Sequence, residues 1–343
     1  HNFNVIKKHC PKSQIYSVVK SNAYGHGVKK VVGALKKSDG FCVATIEEAD
    51  EFREFSKKPL LCLQGFYDQQ DLKLAHSHKL ELVIHNEEQI GLLEKLKLSF
   101  PSLWLKFDTG MNRLGFMQNE IENMMHRLKP FSKKIVLMTH LKSSSGKKMS
   151  KKVTKEQFNL FTKTSFSLKQ KRHNFLTSVS NSGGILNFDD LFSDIERPGL
   201  SLYGSHFQNK SKNFRLKNVT TLVSKIIAIK EVKKGETVGY DGLWQATKNT
   251  SIGIIPIGYS DGIPLNYGNK GYVLVNKAKA KVIGRVAMDL MAIELPNKKV
   301  KIGEDIILWG KDLKVDELAL LTDNIPYSFM TSLSKRVKRK YIK

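Results

Sequence analysis

The chain has 343 residues, with 57 lysines and arginines against 32 aspartates and glutamates, so its formal net charge at pH 7 is +25. This length allows a sizeable core and about two domains, and 41% hydrophobic with 26% charged residues is ordinary for a folded protein. No run approaches the ~18 apolar residues that a membrane span needs, and the polar start HNFNVIKKHC is not expected to act as a signal peptide.

The positive charge is scattered along the chain. Lysines recur in KKVVGALKK, HRLKPFSKK and GKKMSKK, but no run interleaves arginine with base-stacking aromatics, and no nucleic-acid-binding motif is found. We therefore predict no nucleic-acid partner and no membrane partner, and we interpret the charge as an attraction for anionic metabolites or a cofactor phosphate. Cys10, Cys42 and Cys62 lack metal-ligand spacing, which predicts reduced thiols in a cytoplasmic protein and no metal site.

Short apolar runs alternate with helical segments through the first two thirds of the chain. The segments TIEEADEFREFSKK and NEEQIGLLEKLKLSF repeat apolar residues every three or four positions and begin with Thr45 and Asn86 as N-caps. Apolar strands that alternate with helices indicate a parallel sheet covered on both faces. We predict a TIM-type (β/α)8 barrel over residues 1–215. Its eight strands are expected at 16–20, 41–45, 60–65, 81–85, 103–108, 135–141, 175–181 and 195–204.

The pattern changes near residue 215. Strand-like runs separated by glycine-rich turns follow, with little helix expected until KVDELALL. This predicts a separate, mostly-β C-terminal domain over residues 216–343. Its strands are expected in TTLVSKIIAIKEV, TVGYDGLW, SIGIIPIGYSDG, GYVLVNKAKAKVIGRVAMDLMAIEL and DIILWG.

A barrel of this kind carries its reactive residues at the C-terminal ends of its strands. Any one of the polar residues found there has an ordinary explanation, since a lone histidine is more often a satisfied core or surface residue. Together they predict a site for an anionic cofactor held by hydroxyl groups and backbone amides. The residues are Lys20, Arg113, His140, Asn181, Ser182, Arg197 and Gly199.

The chain resembles the alanine racemase family over nearly its whole length. The matching segments, in order, are VVKSNAYGHG, KFDTGMNRLGF, SNSG, RPGLSLYG, TVGYDGLW, IGYSDG, GRVAMD and IPYSFMTSLSKRV. The resemblance implies an isomerase that uses pyridoxal 5'-phosphate (PLP), built from a barrel and a C-terminal β domain. It further implies a head-to-tail homodimer that interconverts L- and D-alanine and supplies D-alanine for peptidoglycan.

The resemblance also implies how the cofactor is held. Lys20 would condense with the cofactor aldehyde, and Arg113 would hydrogen-bond the phenolic oxygen. Arg197 would donate to the ring nitrogen, which then stays unprotonated because a guanidinium has no acceptor. The matched phosphate-binding groups are Tyr24, Ser182, Tyr327 and the amides near Gly199 and Leu200, with Asn181 among the cofactor-binding residues.

Racemisation needs a base on each face of the substrate carbon. The resemblance implies Lys20 for one face and Tyr240, from the partner chain, for the other; His140 would assist Tyr240 and bridge towards Arg197. The remaining matches imply substrate contacts and one modification. Tyr259 would narrow the entrance, Met288 and Asp289 would join Arg113 near the substrate, and Lys106 matches a lysine that is carbamylated in some members.

Three departures from the family pattern affect the entrance and the substrate range. The 142–148 segment lacks the usual small and acidic residues, Leu265 replaces an arginine, and Ser178 replaces a histidine. The alternatives that stay open are a racemase of broader range, serine included, and a PLP-dependent decarboxylase of the same fold, which Arg197 disfavours. A non-catalytic PLP-binding protein is disfavoured by Tyr240, and a nucleic-acid binder ranks last.

Overall fold

The computed structural model of the protein describes residues 1–144, 148–205 and 214–342. The residues fall into two compact units. The first takes in most of the chain up to Leu216, and the second takes in Lys217–Lys343 together with the short segments Tyr24–His26 and Tyr203–Ser205.

The first unit is built on an eight-stranded parallel sheet in the order β7-β6-β5-β4-β3-β2-β1-β8. The strands are β1 Gln14–Val18, β2 Gly40–Val43, β3 Leu60–Cys62, β4 Glu81–Ile84, β5 Leu103–Lys106, β6 Ile135–Met138, β7 Leu176–Ser178 and β8 Ile195–Glu196. The helices are α1 Asn2–His9, α2 Lys20–Tyr24, α3 Val28–Ala34, α4 Ile46–Arg53, α5 Gln69–Ser77, α6 Glu87–Leu96, α7 Ile121–Leu128, α8 Lys148–Gln170 and α9 Ser182–Asn187. Across the described ranges, no helix combines the length and apolarity needed to cross a bilayer.

Short contacts between β7 and β8 bring the two ends of the sheet together. The Arg197 amide donates to the Ser180 carbonyl at 3.1 Å, and Ser178 Oγ donates to the Ile195 carbonyl at 2.7 Å. Every residue of β2, β4, β5 and β6 is buried, as expected for strands covered on both faces. The predicted barrel architecture is therefore confirmed.

The predicted barrel strands are all present, but each ends earlier than the sequence pattern suggested. β5 ends at Lys106 rather than at 108, and β6 ends at Met138 rather than at 141. The loops that follow these strands carry the polar residues Asp108, Thr139 and His140, at the end where a barrel carries its site. Both predicted N-caps are confirmed, since Thr45 accepts from the Glu48 amide and Asn86 accepts from the Gln89 amide.

The second unit contains a seven-stranded antiparallel sheet, in the order β10-β13-β16-β15-β14-β17-β9, and the small pair β11-β12. Its core packs Trp309, Tyr267 and Phe329, with Phe329 edge-on to both other rings. The helix predicted in KVDELALL is confirmed as α10, whereas α11, which Pro326 begins, was missed. The elements are β9 Leu222–Lys225, β10 Ala228–Val232, β11 Thr237–Val238, β12 Trp244–Gln245, β13 Thr250–Ile255, β14 Tyr272–Val275, β15 Ala278–Ile283, β16 Met291–Glu294, β17 Asp305–Trp309, α10 Val315–Leu321 and α11 Pro326–Thr331.

A buried carboxyl group in β8 predicts a pH-dependent stability. Burial raises the pKa of Glu196 to about 7; its Oε1 accepts from Ser193, whereas its Oε2 has no hydrogen-bond partner among the described residues. Between pH 4.5 and 7 the folded protein keeps a proton that the unfolded chain loses. The contribution of Glu196 to the free energy of unfolding should therefore fall as pH rises, by at most about 1.4 kcal/mol per pH unit.

Glu196→Gln should remove this slope, because a neutral amide of the same shape replaces the acid. Chemical denaturation at intervals from pH 4.5 to 8 measures it, with Glu54→Gln as the exposed control. A Glu196→Gln protein that retained the slope of the parent would contradict the assignment.

Candidate functional site

Lys20 follows β1 and opens a turn of unusual backbone conformation. Ser21, Asn22, Ala23 and Tyr24 all have φ between 52° and 53°, which makes α2 a left-handed helical turn. Such a turn costs roughly 1–2 kcal/mol per non-glycine residue, so the surrounding structure has to hold it.

The Glu48 carboxylate supplies much of that support. Its Oε1 accepts from the Ser21 amide at 2.6 Å, and its Oε2 accepts from the Ala44 amide at 2.7 Å. Asn22 adds a side-chain contact, because its Oδ1 accepts from the Val28 amide at 2.8 Å. The carboxylate thus fixes the backbone beside Lys20 to the end of β2.

The Lys20 amine is half-buried and suited to act as a nucleophile. Burial lowers its pKa, the charge of Arg113 lowers it further, and Glu48 opposes both. Across the parts of the chain that the structure describes, the amine makes no hydrogen bond or ion pair. A lowered pKa increases the fraction of free amine, the form that attacks a carbonyl carbon.

Arg197 is buried and held by three neighbours on the same rim. Its Nε donates to Ser178 Oγ at 2.8 Å, and its Nη2 donates to the carbonyl oxygens of Thr139 at 2.6 Å and Val179 at 3.2 Å. Within the described residues, Nη1 makes no hydrogen bond, so it can donate to a ligand. The guanidinium is therefore a rigid donor that offers no acceptor.

His140 lies at the end of β6 and contacts Asn181. Asn181 Nδ2 points at His140 Nε2 across 3.4 Å and donates to the Leu141 carbonyl at 3.1 Å. Burial lowers the pKa of His140 well below its ordinary value, and the charges of Lys106 and Arg197 add to the effect, so the imidazole is neutral at pH 7. Among the described residues, no direct hydrogen bond joins His140 to Arg197. Their predicted bridge stays a prediction.

Ser182, at the start of α9, receives a convergence of donors. The Gly199 amide donates to Ser182 Oγ at 2.9 Å, the Ser201 amide at 3.1 Å, and Ser201 Oγ lies 3.0 Å away. The Leu200 amide is not part of this set of contacts. Two amides and two hydroxyl groups within one small space are a suitable arrangement of donors for a phosphate.

Lys106 is the last residue of β5, and Arg113 lies in the loop that follows this strand. Lys106 is buried, and its pKa is lowered well below the ordinary value by burial and then by the charges of Arg197 and Arg113. Arg113 is exposed on the loop that follows. The charges of Lys106, Arg197, Arg113 and Lys20 all act on His140, so this part of the first unit favours an anionic ligand.

Two predicted phosphate ligands, Tyr24 and Tyr327, lie together in the second unit. Their ring centroids are 5.7 Å apart, and Tyr24 also packs against Tyr203 at 4.7 Å. Burial raises the pKa of Tyr327 above its ordinary value, so its hydroxyl stays protonated and can donate to an anion.

Tyr240, Tyr259 and Met288 lie on the surface of the second unit, with exposed fractions of 67%, 43% and 53%. The Ser260 amide donates to the Met288 carbonyl at 3.0 Å, which joins the loops of Tyr259 and Met288. Beside Tyr240, Asp241 forms an ion pair with Arg285 at 2.8 Å.

Neighbouring charges and apolar groups extend this surface. Arg336 pairs with the predicted substrate-side residue Asp289 at 2.7 Å. Leu243 is 53% exposed. Leu265, which replaces an arginine of the family pattern near the entrance, is 60% exposed. Tyr240 therefore does not pack in the core, although core packing is the ordinary role of a tyrosine in a β domain.

The described part of the 142–148 segment contacts α9 and the residue before it through Ser144. Ser144 Oγ donates to Asn181 Oδ1 at 2.8 Å, and Asn187 Nδ2 donates to the Ser144 carbonyl at 2.7 Å. The rest of the predicted change, at residues 145–147, lies outside the described residues.

Sequence reasoning missed Glu48, Thr139 and Ser201. Thr45-x-x-Glu48 has the form of a capping box, in which the glutamate would turn back to its own helix. Glu48 instead binds the turn beside Lys20, a contact no local pattern encodes. Ser201 stands in the quoted segment RPGLSLYG, so its donor groups could have been anticipated.

The geometry fits the predicted cofactor. In the first unit, a poised amine, a rigid donor-only guanidinium and a cluster of amides and hydroxyl groups match an aldehyde, a ring nitrogen and a phosphate. These groups could orient such a cofactor and hold its charge, while a neutral histidine and a lysine remain available for proton transfer.

Comparison with known proteins gives the same result along the whole chain. A profile of the alanine racemase N-terminal domain matches residues 1–206, and one of the C-terminal domain matches residues 219–341. The chain is similar to the alanine racemases of Vibrio atlanticus, 38% identical over 100% of this chain and 96% of the relative, and of Mannheimia succiniciproducens, 36% identical with the same coverage.

Solved structures agree. The biosynthetic alanine racemase of Pseudomonas aeruginosa superposes with a TM-score of 0.94 at 34% identity, covering 100% of this chain and 96% of that one. The Bartonella henselae alanine racemase, crystallised with covalently bound pyridoxal phosphate, gives 0.89 at 26% identity, covering 99% and 96%.

Proposed function

The chain belongs to the alanine racemase family, and from this premise we propose that it interconverts L- and D-alanine with PLP as its cofactor. The observation that carries the proposal is that one barrel rim holds both the Lys20 amine, with its lowered pKa, and the rigid Arg197 guanidinium. When bound, PLP supplies an electron-withdrawing ring that acidifies the α-proton of the amino acid joined to it.

The residues of the first unit would hold and tune the cofactor. Lys20 would bind the aldehyde, Arg113 the phenolic oxygen, and Ser182 with the Gly199 amide the phosphate. Arg197 would donate through Nη1 to the ring nitrogen. A donor-only partner keeps that nitrogen unprotonated, which weakens electron withdrawal and favours simple proton return over transamination or decarboxylation.

Proton transfer would use one base on each face of the α-carbon. Lys20, released when substrate takes its place, would serve one face, and Tyr240 of the partner subunit the other. A tyrosine needs help to act near neutral pH, because its ordinary pKa is about 10. His140 is neutral and can accept a hydrogen bond from a protonated phenol, which supports its proposed role as the assistant of Tyr240.

We propose a homodimer as the state that completes each site. Tyr240, Leu243, Tyr259, Leu265 and Met288 are all large, apolar or aromatic, and exposed in the described chain. Exposed groups of this kind are typical of surfaces that a partner covers. A head-to-tail pair of chains would bury these side chains and bring Tyr240 to the barrel of the other subunit.

The proposed biological role is the supply of D-alanine for peptidoglycan in the bacterial cytoplasm. The cysteines are free and buried, Cys10, Cys42 and Cys62 alike, which is consistent with a reducing compartment.

The proposed activity is tested by α-proton exchange in heavy water. Purified PLP-loaded protein is incubated with L-alanine, L-serine and a larger amino acid, and mass spectrometry and chiral chromatography follow deuterium uptake and inversion. We expect both with alanine. Carbon dioxide release without inversion, or no exchange with any amino acid, would contradict the proposal.

Lys106 is expected to carry a carbamate. Its buried amine has a lowered pKa, so the free amine can add to the carbon of carbon dioxide and release one proton to solvent. The resulting negative charge would position Arg113. ¹³C NMR after equilibration with labelled bicarbonate should show a carbamate signal that Lys106→Ala removes and the exposed control Lys29→Ala retains.

Loss of the carbamate should lower kcat by about 10- to 100-fold through misplacement of Arg113. If the parent protein shows no ¹³C carbamate signal after this treatment, the Lys106 amine is unmodified.

A further inference from the structure

A second group of potential ligands lies away from the proposed site, where α7 meets the connection between α8 and β7. Glu122, His126 and His173 each offer one ligand atom, and these atoms all lie within 4.8 Å of one another. None of them takes part in the proposed racemase chemistry.

The backbone holds these three side chains in a defined arrangement. Glu122 and His126 are one turn apart on α7, so they share a face of the helix. His173 follows the end of α8, where its amide donates to the Leu168 carbonyl at 3.1 Å and Arg172 adopts a positive φ of 61°. This bond pattern is that of a closed helix C-terminus, which leaves the His173 backbone little freedom.

The imidazole of His173 is poorly satisfied by the protein. Its Nδ1 is buried and has no hydrogen-bond partner among the described residues. Its Nε2 lies 3.6 Å from Glu122 Oε1, which is longer than a hydrogen bond. Lys171 occupies the other carboxylate oxygen, Oε2, at 2.6 Å and so orients the carboxylate.

We propose that Glu122, His126 and His173 bind one zinc ion, with water completing a four-coordinate site. Two histidines and one glutamate are a zinc ligand set, and zinc is among the divalent metals that imidazole binds most strongly. Ligand atoms at zinc–ligand distances near 2.0–2.1 Å stand about 3.4 Å apart in a tetrahedron.

The required change in geometry is small. The Glu122–His173 pair is already at 3.6 Å. His126 is exposed on α7, so a rotamer change can bring its ring the remaining distance.

A neighbouring lysine limits the affinity of this site for the ion. Lys171 shares the carboxylate with the ion, so the affinity should be below that of a site without a competing cation. The bound ion would join α7 to the segment that leads into β7.

The test is a metal titration of the full-length, PLP-loaded protein. Zn²⁺ binding is measured by isothermal titration calorimetry, and Co²⁺ is used as a spectroscopic probe of coordination number. The variants are His126→Ala and Glu122→Gln, and the control is His76→Ala, an exposed histidine on α5. Circular dichroism checks that each variant is folded, which is expected because the altered side chains are not in the core.

We expect the parent and His76→Ala to bind one equivalent of Zn²⁺ and to give the intense visible absorption of four-coordinate Co²⁺. Each of the other variants should bind at least about 10-fold more weakly and lose that absorption. The proposal is overturned if the parent binds no Zn²⁺, or if either His126→Ala or Glu122→Gln binds as tightly as the parent. Racemase activity plays no part in this readout, so the result is independent of the proposed function.

Discussion

Lys20→Ala is expected to abolish racemisation and the covalent attachment of PLP. The methyl side chain of alanine cannot condense with an aldehyde. The substitution also removes the base that serves one face of the α-carbon. We expect kcat for alanine to fall by at least about 10³-fold in both directions. Chiral chromatography measures the activity, and the visible absorption of the purified protein reports whether PLP is attached.

Lys29→Ala is the matched control, because Lys29 is an exposed lysine close by in the sequence. It should keep the activity and the absorption of the parent. A small primary amine such as methylamine, added to Lys20→Ala, can take up the missing proton-transfer role and should restore a measurable part of the rate. A Lys20→Ala protein that kept covalently attached PLP would show that another lysine is the attachment point.

Tyr240→Phe is expected to separate proton exchange from inversion. The substitution keeps the ring and removes only the hydroxyl, so the surface of the second unit is little changed. Racemisation should fall by about 10²- to 10⁴-fold, the usual effect of losing one general acid–base group. Lys20 still serves its own face, so one enantiomer of alanine should continue to exchange its α-proton with heavy water while the other exchanges slowly.

Tyr67→Phe is the control for this experiment, because Tyr67 is 65% exposed and lies far along the chain from the proposed bases. It should behave as the parent does. Equal loss of exchange for both enantiomers in Tyr240→Phe would indicate a positioning role for the tyrosine. Unchanged racemisation would remove Tyr240 from the mechanism.

The sequence predicted the architecture well because the barrel rests on local patterns. Buried apolar strands such as β4 and β5 stand out from helices whose apolar residues recur every three or four positions. The same reasoning located Lys20, His140 and Arg197, because polar residues directly after buried strands mark the rim of a barrel.

The details of the site depend on contacts between distant parts of the chain, which local patterns do not encode. The left-handed turn after Lys20 is held by Glu48, 27 residues away, although Glu48 reads as a helix-capping residue. Helix α11 was missed because YSFMTS contains aromatic and hydroxyl residues with weak helix preference, and its burial in the second unit decides its structure. His173 and Glu122 are likewise brought together only by the fold.

The central claim is that each active site takes Lys20 from one chain and Tyr240 from the other, and mixing two inactive variants tests it most directly. Lys20→Ala and Tyr240→Phe proteins are combined in equal amounts, dissociated with mild denaturant and allowed to reassociate. A mixed dimer then contains one site with both bases and one with neither, so random pairing should restore roughly a quarter of the parent's specific activity. Activity that stays at the level of the two separate variants would contradict the account.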